Sequence, residues 1–385
     1  MAREETGRGE CLRACLKKLA QRRDLTAQEA EAAVEEIMSG RATLAQVAAF
    51  MTALCVKGET VEEIVGAARA MRARAARLDL PGIRPVDTCG TGGDGKETFN
   101  ISTAAALVVA AAGAPVAKHG NRAMSSRCGS ADVLEALGVC VDLGPDEAAE
   151  CLKKTGIGFL YAPAFHRAMA HAAAPRREIG IRTIFNILGP LANPAGAEVQ
   201  LTGVYDEELA PKMARALLVL GVKAAAVVYG AGGADELTLA GPNTLYCVEN
   251  GEVFRLVVEP EEVGLPRAEV GELAGGDPAE NAGIIRRLLE GERGPRRDCV
   301  LLNAGVTLAL AAGAGCFSHG VRPGAAGERD DAGSSGDAFL ERVRLGIEMA
   351  ERAIDTGRAK EKLRQLVYFS QELSRRRKAG GDLAG

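Results

Sequence analysis

Hydrophobic positions in the first part of the chain recur at helical spacing, and no alternating strand pattern interrupts them. Three of these periodic stretches open with a capping box, in which two side chains would satisfy backbone N–H groups at a helix start. The three boxes are Thr26-x-x-Glu29, Thr43-x-x-Gln46 and Thr60-x-x-Glu63. A further helix is predicted over residues 12–21. The pattern therefore predicts a small all-helical domain over residues 1–80.

Beyond Leu80-Pro81-Gly82 the pattern changes, and short β-branched runs alternate with Ala- and Leu-rich helical runs. This alternation predicts a larger α/β domain over residues 81–385, with a mainly parallel central sheet flanked by helices. Strands are predicted over residues 85–88, 115–118, 139–142, 158–161, 199–204, 224–229 and 252–258. Helices are predicted over residues 103–112, 131–136, 146–155 and 208–220, and as two pairs over 279–312 and 339–374.

Two later segments have the composition of irregular structure. Residues 320–336 are polar and rich in Gly, which predicts a flexible surface loop. The tail after Ser374 is basic and then Gly-rich, so it is predicted to fray.

Composition excludes several classes of protein. A net charge of -4 over 385 residues disfavours a nucleic-acid binder, which should carry a basic face. The ten cysteines are scattered through a long chain, unlike the dense framework of a small secreted domain. The N-terminus has no signal-peptide pattern, and the longest apolar run, around residues 104–112, is too short to span a bilayer. We expect a cytoplasmic protein with reduced thiols and no membrane partner.

The segment DTCGTGGDGKETFNIST, residues 87–103, lies between a predicted strand and a predicted helix. Glycines let the backbone approach a ligand closely, and a helix N-terminus offers free N–H groups to an anion. The spacing Gly90-x-Gly92-x-x-Gly95 matches a dinucleotide fingerprint, but the helix starts too late and the next strand ends in Lys118-His119 rather than in Asp or Glu. A Walker A loop would need Ser or Thr where Glu97 stands. A longer phosphate cradle is the remaining interpretation.

Polar residues also occur at the end of another predicted strand and at the start of another predicted helix. They occur in KHGNR (118–122), in Ser125-Ser126 and in GSAD (129–132). Because ligands gather at the carboxyl ends of strands in open α/β sheets, we expect these groups to converge on one site. Such a site suits a ligand that carries more than one phosphate.

Several long motifs in one order resemble the anthranilate phosphoribosyltransferases, enzymes of tryptophan biosynthesis that join anthranilate to phosphoribosyl pyrophosphate (PRPP). They are GTGGDGKETFNIST, KHGNRAMSS, GSADVLEALG, RREIGIRTIFNILGPLANP and GADE. The resemblance implies a helical domain beside an α/β domain, with the active site in the cleft between them. It also implies that part of residues 165–195 joins the helical domain, and that a homodimer forms through the helical domains.

The resemblance also implies roles for individual residues. Anthranilate would be held by Gly90, Asn121 and Arg176, and Mg²⁺ by Ser102, Asp235 and Glu236. Carboxylate oxygens are the ligands that Mg²⁺ takes, usually with waters and substrate phosphates. PRPP would be bound by Gly90, Gly93, Asp94, Thr98, Asn100, Ile101, Ser102, Thr103, Lys118, His119, Gly120, Asn121, Arg122, Ala123, Met124, Ser125, Ser126 and Ser130.

The implied reaction is displacement at the anomeric carbon of PRPP by the amine of anthranilate, with diphosphate as the leaving group. No general base is assigned, because an aromatic amine is already unprotonated at neutral pH, and His119 is expected to bind rather than to accept a proton. Two alternatives stay open. The chain could be a pyrimidine nucleoside phosphorylase, which shares the fold, or an inactive relative that binds nucleic acid, which the net charge and intact motifs disfavour.

Overall fold

The computed structural model describes residues 10–123, 126–317 and 335–381. The candidate residues Met124 and Ser125 lie outside these ranges, as do all but the last two residues of the predicted 320–336 loop. Within the described ranges, the helices in chain order are α1 (Glu10–Leu19), α2 (Ala27–Met38), α3 (Leu44–Lys57), α4 (Val61–Arg74), α5 (Ile101–Ala111), α6 (Ser130–Ala136), α7 (Pro145–Thr155), α8 (Ala162–Phe165), α9 (Ala170–Ile179), α10 (Ile184–Leu191), α11 (Leu209–Val219), α12 (Pro278–Leu289), α13 (Pro295–Gly313), α14 (Ser335–Asp355) and α15 (Arg358–Gly381). The strands are β1 (Val86–Gly90), β2 (Val116–Gly120), β3 (Ile157–Tyr161), β4 (Val199–Gly203), β5 (Ala224–Tyr229), β6 (Asn243–Glu249) and β7 (Glu252–Val258).

The predicted capping boxes open helices α2, α3 and α4. In each box the threonine Oγ1 accepts a bond of 3.2 Å from the backbone N–H three residues later. The Glu or Gln at that position accepts in return from the threonine N–H. These helix starts were readable from sequence because the motif satisfies its hydrogen bonds locally.

Helices α9 and α10 pack against the N-terminal helices. Ala172 and Leu188 belong to the same buried apolar cluster as Ile37 and Phe50. Arg72 of α4 reinforces this packing, since its guanidinium donates to the carbonyl oxygens at the ends of α10 and α11. The helical layer thus includes chain from the middle of the sequence.

The sheet has the strand order β3-β2-β1-β4-β5-β6-β7, with β6 and β7 antiparallel to their neighbours and the other strands parallel. Alternate residues of β5 face the two apolar clusters: Ala225 and Val227 face the helical layer, whereas Ala226 and Val228 face the layer that contains α5 and α13. The chain runs outward from β1 to β3 and then returns to β4 on the other side of β1. The switch point of the sheet therefore lies between β1 and β4, where ligands bind in open α/β folds.

The structure corrects three sequence-based predictions. Residues 139–142 form no strand, because side chains of α15 bind this backbone instead: Ser370 accepts from the Cys140 N–H, and Gln371 donates to the Gly138 carbonyl. Strand β6 was not predicted. The basic tail does not end the last helix at Ser374, since α15 continues to Gly381.

Across the described ranges, no helix combines the length and the apolar character needed to cross a membrane.

Glu63 supplies a test of the helical layer. Its side chain is fully buried, and its carboxylate accepts bonds of 2.9 Å from the Leu25 N–H, the Thr60 N–H and the Lys57 ammonium. We predict that Glu63→Ala lowers the free energy of unfolding by about 3 kcal/mol, since it leaves buried donors without an acceptor. Urea unfolding followed by circular dichroism measures this loss. The control Thr43→Ala removes only an exposed cap and should cost about 1 kcal/mol; equal losses would contradict the assignment.

Candidate functional site

The candidate site lies at the carboxyl ends of the parallel strands, on both sides of the switch point. Gly90 ends β1 and pairs in register with Gly203, which ends β4. The glycine loop, residues 90–100, leaves β1 here and leads into the N-terminus of α5. The acidic pair, Asp235 and Glu236, lies in the loop that follows β5. Motifs more than 130 residues apart in sequence thus meet at one end of the sheet.

The glycine loop is held by contacts with three other segments. Its Thr91 N–H donates to the Gly203 carbonyl at 2.9 Å. The Gly92 N–H donates to Asp235 Oδ2 at 2.7 Å. The Arg182 guanidinium donates to the Gly93 carbonyl and stacks 4.1 Å above the ring centroid of Tyr205. The loop is therefore held by the end of β4, by the acidic pair and by the chain between α9 and α10.

The backbone of the acidic pair packs directly on the sheet. A Cβ added to Gly203 would lie 1.5 Å from the Asp235 carbonyl oxygen, and one added to Gly230 would lie 1.9 Å from the Glu236 carbonyl oxygen. Any side chain at either position would collide with backbone, which cannot move aside as a side chain can. These glycines therefore determine how closely the backbone of the acidic pair approaches the sheet.

The carboxylates of the site repel one another. Burial, then the charges of Glu236 and Asp94, raise the pKa of Asp235 well above its usual range. Burial likewise raises the pKa of Glu236 to about 7, although Lys118 and the Ser102 N–H oppose this shift. The Ser102 N–H donates to Glu236 Oε1 at 3.0 Å, at the N-terminus of α5. The cluster therefore favours a bound proton or a cation.

Lys118 lies beneath the glycine loop and not in open solvent. Its side chain is 3% exposed, and its ammonium donates to the Thr88 carbonyl at 2.6 Å and to Ser102 Oγ at 3.4 Å. Burial lowers the pKa of Lys118. The lysine offers its positive charge to Glu236 and to the base of the loop from below.

The donor set fits a magnesium ion that is only partly held by protein. No three His, Cys, Asp or Glu side chains converge as a complete metal cage in the described part of the chain. Mg²⁺ usually takes one or two carboxylates and completes its octahedron with waters and substrate phosphates. Asp235 and Glu236, with the Ser102 hydroxyl nearby, match that partial set.

The turn after β2 forms the other wall. Asn121, Arg122 and Ser126 are exposed, and Ser130 Oγ donates to the Asn121 carbonyl at 3.2 Å. Arg122 is already paired, because its guanidinium donates to both carboxylate oxygens of Glu135 at 2.6 and 2.7 Å. The Ala123 N–H donates to Asp132 at 2.8 Å. Gly120 is partly exposed at the end of β2, where the turn begins.

Candidate residues on the helix start differ in what they offer. The side chains of Ile101 and Thr103 are buried, which leaves their backbone as the part that could face a ligand. Asn100 is partly exposed, and its amide donates to the Cys128 carbonyl at 3.1 Å.

Two candidate residues within the glycine loop bond to other segments. Thr98 forms an isolated bridge with Ala274. Asp94 accepts from the N–H groups of Lys96 and Asp235, both at 3.1 Å.

A second group of side chains lines α10, between the helical layer and β2. The Arg176 guanidinium lies 5.9 Å from the ring centroid of Phe185, and no carboxylate in the described ranges pairs with it. Burial lowers its pKa. One turn along α10, the Gly189 carbonyl lies 3.1 Å from His119 Nδ1. A half-buried, unpaired guanidinium at this place suits a small ligand with a carboxylate.

His119 and His166 form a buried pair with ring centroids 5.0 Å apart. Burial and the neighbouring ring lower the pKa of His119 to about 3, and burial lowers that of His166 to about 4. Both rings are therefore neutral at physiological pH. His119 Nε2 has no hydrogen-bond partner within the described residues, and His166 lies beside the backbone of Ala192.

Sequence motifs did not single out three residues that support the site. Arg182 holds Gly93, Asn281 of α12 holds Asn100, and Asn303 of α13 bonds both the N–H and the carbonyl of Leu237, next to the acidic pair. The available signal was a polar amide within an apolar helix face, since Asn281 is buried alongside Ile284 and Leu288. Such an amide requires a partner, although the sequence does not say which one.

Comparison with known proteins places the chain in a family. Residues 13–75 match the helical bundle domain of the glycosyl transferase family, and residues 83–335 match its a/b domain. The anthranilate phosphoribosyltransferase of Pelotomaculum thermopropionicum is 52% identical over 359 residues, which cover 93% of this chain and 96% of that protein. The Moorella thermoacetica protein of the same name is 51% identical, over 93% of this chain and 98% of its own length.

The chain belongs to the anthranilate phosphoribosyltransferase family.

Solved structures of the family have the same fold. The Thermus thermophilus enzyme has a TM-score of 0.81 and 42% identity, and the match covers 92% of this chain and 99% of that one. The Saccharomyces cerevisiae enzyme in complex with PRPP and Mg has a TM-score of 0.79 and 29% identity, over 94% of this chain and 98% of that one. The family match confirms the fold class expected from sequence, a helical domain and an α/β domain with a mainly parallel sheet.

The raised pKa of Glu236 leads to a test on metal-free protein. Because the folded state binds this proton more tightly than the unfolded chain, stability is lost as pH rises from the ordinary value of 4.5 to about 7. We predict that Glu236→Gln, which keeps an acceptor for the Ser102 N–H, flattens this loss. Differential scanning fluorimetry in EDTA between pH 4 and pH 8 measures it, and parallel profiles for the two proteins would contradict the raised pKa of Glu236.

Proposed function

We propose that this chain transfers the phosphoribosyl group of PRPP to the amine of anthranilate. The products are N-(5-phosphoribosyl)anthranilate and diphosphate, in the biosynthesis of tryptophan. The observation that carries the proposal is the meeting of the glycine loop with the acidic pair at the switch point, where Asp235 accepts from Gly92 and Glu236 accepts from Ser102. The names of relatives about half identical in sequence support the same activity.

At the PRPP end, the glycine loop would offer backbone N–H groups to the phosphates, and the turn after β2 would offer polar side chains such as Asn121 and Ser126. Gly90, Gly93, Asp94 and Thr98 belong to the loop. Lys118, His119 and Gly120 end β2, Asn121, Arg122, Ala123 and Ser126 follow it, and Ser130 begins α6. Lys118 contributes a positive charge from beneath the loop. Residues 100–103 provide the start of α5, whose N-terminus attracts anions. The site therefore binds a polyanion although the whole chain has a net charge of -4.

The magnesium ion is part of the proposal. Asp235, Glu236 and Ser102 would hold it, and PRPP phosphates and waters would complete its coordination. When bound, the ion would stabilise the negative charge that collects on diphosphate as it leaves. A solved relative named as a complex with PRPP and Mg supports this choice of ion.

At the other end, Arg176 would pair with the anthranilate carboxylate, and Gly90 and Asn121 would contact the ring from the loop side. His119 and His166 are buried and neutral, so they add no charge to this end of the site. Because the aromatic amine needs no prior deprotonation, the protein's contribution is to bind and orient the two substrates. His119 stays a binding residue, and no general base is assigned.

Two further expectations remain proposals. A homodimer through the helical layer would cover Leu44 and Val56 of α3, whose side chains are exposed. A cytoplasmic location agrees with a biosynthetic enzyme that uses a phosphorylated metabolite.

The first test measures turnover. Purified protein with PRPP, anthranilate and Mg²⁺ should show loss of anthranilate fluorescence, which stops on metal removal. Asp235→Asn combined with Glu236→Gln should lower Mg²⁺-dependent turnover at least about 100-fold, because the ion loses its protein ligands. The adjacent exposed acids Glu261 and Glu262 provide a matched control, and Glu261→Gln with Glu262→Gln should retain wild-type activity. Phosphorolysis of a pyrimidine nucleoside without turnover of PRPP would instead favour the phosphorylase alternative.

The second test separates the two substrates. Arg176→Ala should raise the KM for anthranilate about tenfold or more, while the KM for PRPP changes little, since a bidentate carboxylate contact is lost. The exposed neighbour Arg177 offers the control Arg177→Ala, for which both KM values should stay near wild type. Equal increases for the two substrates in Arg176→Ala would exclude the assigned role.

A further inference from the structure

Asn281 is a buried amide whose two ends bind different parts of the molecule. It lies on α12 with 1% of its surface exposed. Its Oδ1 accepts from the Gly276 N–H at 2.7 Å, and its Nδ2 donates to Asn100 Oδ1 at 3.0 Å. Asn100 in turn donates to the Cys128 carbonyl at 3.1 Å, just before α6. One amide of α12 therefore fixes the orientation of another at the start of α5.

The segment that contains Gly276 also binds the glycine loop directly. We name residues 273–276 the strap. The Phe99 N–H donates to the Leu273 carbonyl at 3.0 Å, and the Gly275 N–H donates to the Glu97 carbonyl at 2.9 Å. The fit is close, because a Cβ on Gly275 would lie 2.6 Å from both Asn281 Oδ1 and Phe99 Cα. Asn281 thus holds the strap with one atom and the loop with another.

The chemistry at this position calls for asparagine. The site requires an acceptor for an N–H group and, on the adjacent atom, a donor for an amide oxygen, and a primary amide provides both. Leucine would satisfy neither group, and aspartate would lack the donor. A buried amide among apolar neighbours such as Ile284 and Leu288 is unfavourable unless both ends are bonded. Packing of α12 alone gives no reason for it.

We propose that Asn281 is a positioning residue for the phosphate-binding face of the site, which acts by orienting Asn100. This inference rests on the proposed function, because it concerns PRPP. Asn281 touches the loop at Asn100, next to the start of α5, whereas Arg176 packs on Phe185 of α10. Replacing Asn281 should therefore weaken the binding of PRPP and leave the binding of anthranilate nearly unchanged.

Steady-state kinetics of the full-length enzyme test the proposal. Asn281→Ala should raise the KM for PRPP about tenfold, with less than a twofold change in the KM for anthranilate. Asn281→Ser, which retains a small polar group but is too short to span both partners, should act in the same direction and protects the test against misfolding of the alanine variant. Thr155→Ala is the matched control, since Thr155 is a buried hydroxyl bonded at 2.8 Å to Cys151 O and 2.7 Å to Ile157 O, at the opposite end of the sheet. It should lower the melting temperature without changing either KM.

A double-mutant cycle with Asn100→Ala tests whether Asn281 acts through Asn100. If it does, the double variant should bind PRPP about as weakly as Asn100→Ala alone. Two results would overturn the inference and leave the proposed function intact. One is a double variant whose KM for PRPP rises by the product of the two single-variant increases. The other is an unchanged KM for PRPP in both Asn281 variants while the wild-type enzyme turns over. Wild-type protein that binds and uses no PRPP would overturn the proposed function and this inference together.

Discussion

The site depends on keeping three half-buried carboxylates close together. Asp94, Asp235 and Glu236 repel one another, and burial makes that repulsion stronger than it would be in water. Backbone N–H groups of Gly92 and Ser102 and the ammonium of Lys118 offset part of this cost. The same N–H groups belong to the loop and the helix start that would face phosphates. The carboxylates therefore order the glycine loop while remaining available to a cation.

The fold provides the rigid frame that this arrangement needs. Strands β1 and β5 flank β4, so the glycine loop that follows β1 and the acidic pair in the loop after β5 meet at Gly203, the end of β4. Arg182 joins the loop to the chain between α9 and α10, which packs with the helical layer. The glycine loop and the helical layer are consequently connected through Gly93. A small ligand bound near Arg176 and a phosphorylated one bound at the loop would share this boundary.

Local signals made much of this predictable from sequence, and nonlocal bonds account for what was missed. The box Thr60-x-x-Glu63 closes its own hydrogen bonds, so its helix start could be placed correctly. Residues 139–142 look like a strand because they are apolar and β-branched, but their backbone partners are side chains of α15, more than 200 residues away. The residues of the site were indicated by motifs. The roles of Arg182, which lies inside a motif, and of Asn281, which lies in none, depend on contacts that only the folded chain brings together.

Gly203 has a consequence for how this enzyme can change over time. The last residue of β4 and the backbone of Asp235 occupy adjoining space with no room for a methyl group between them. A larger residue at Gly203 would fit only if the backbone of the loop after β5 lay farther from the strand. While residue 203 is glycine, no steric contact favours such a shift of the loop. We therefore expect the residue at the end of β4 and the conformation of the acidic loop to change together in related sequences. A chimaera that exchanged one of them between distant relatives would join surfaces that had not adapted to each other.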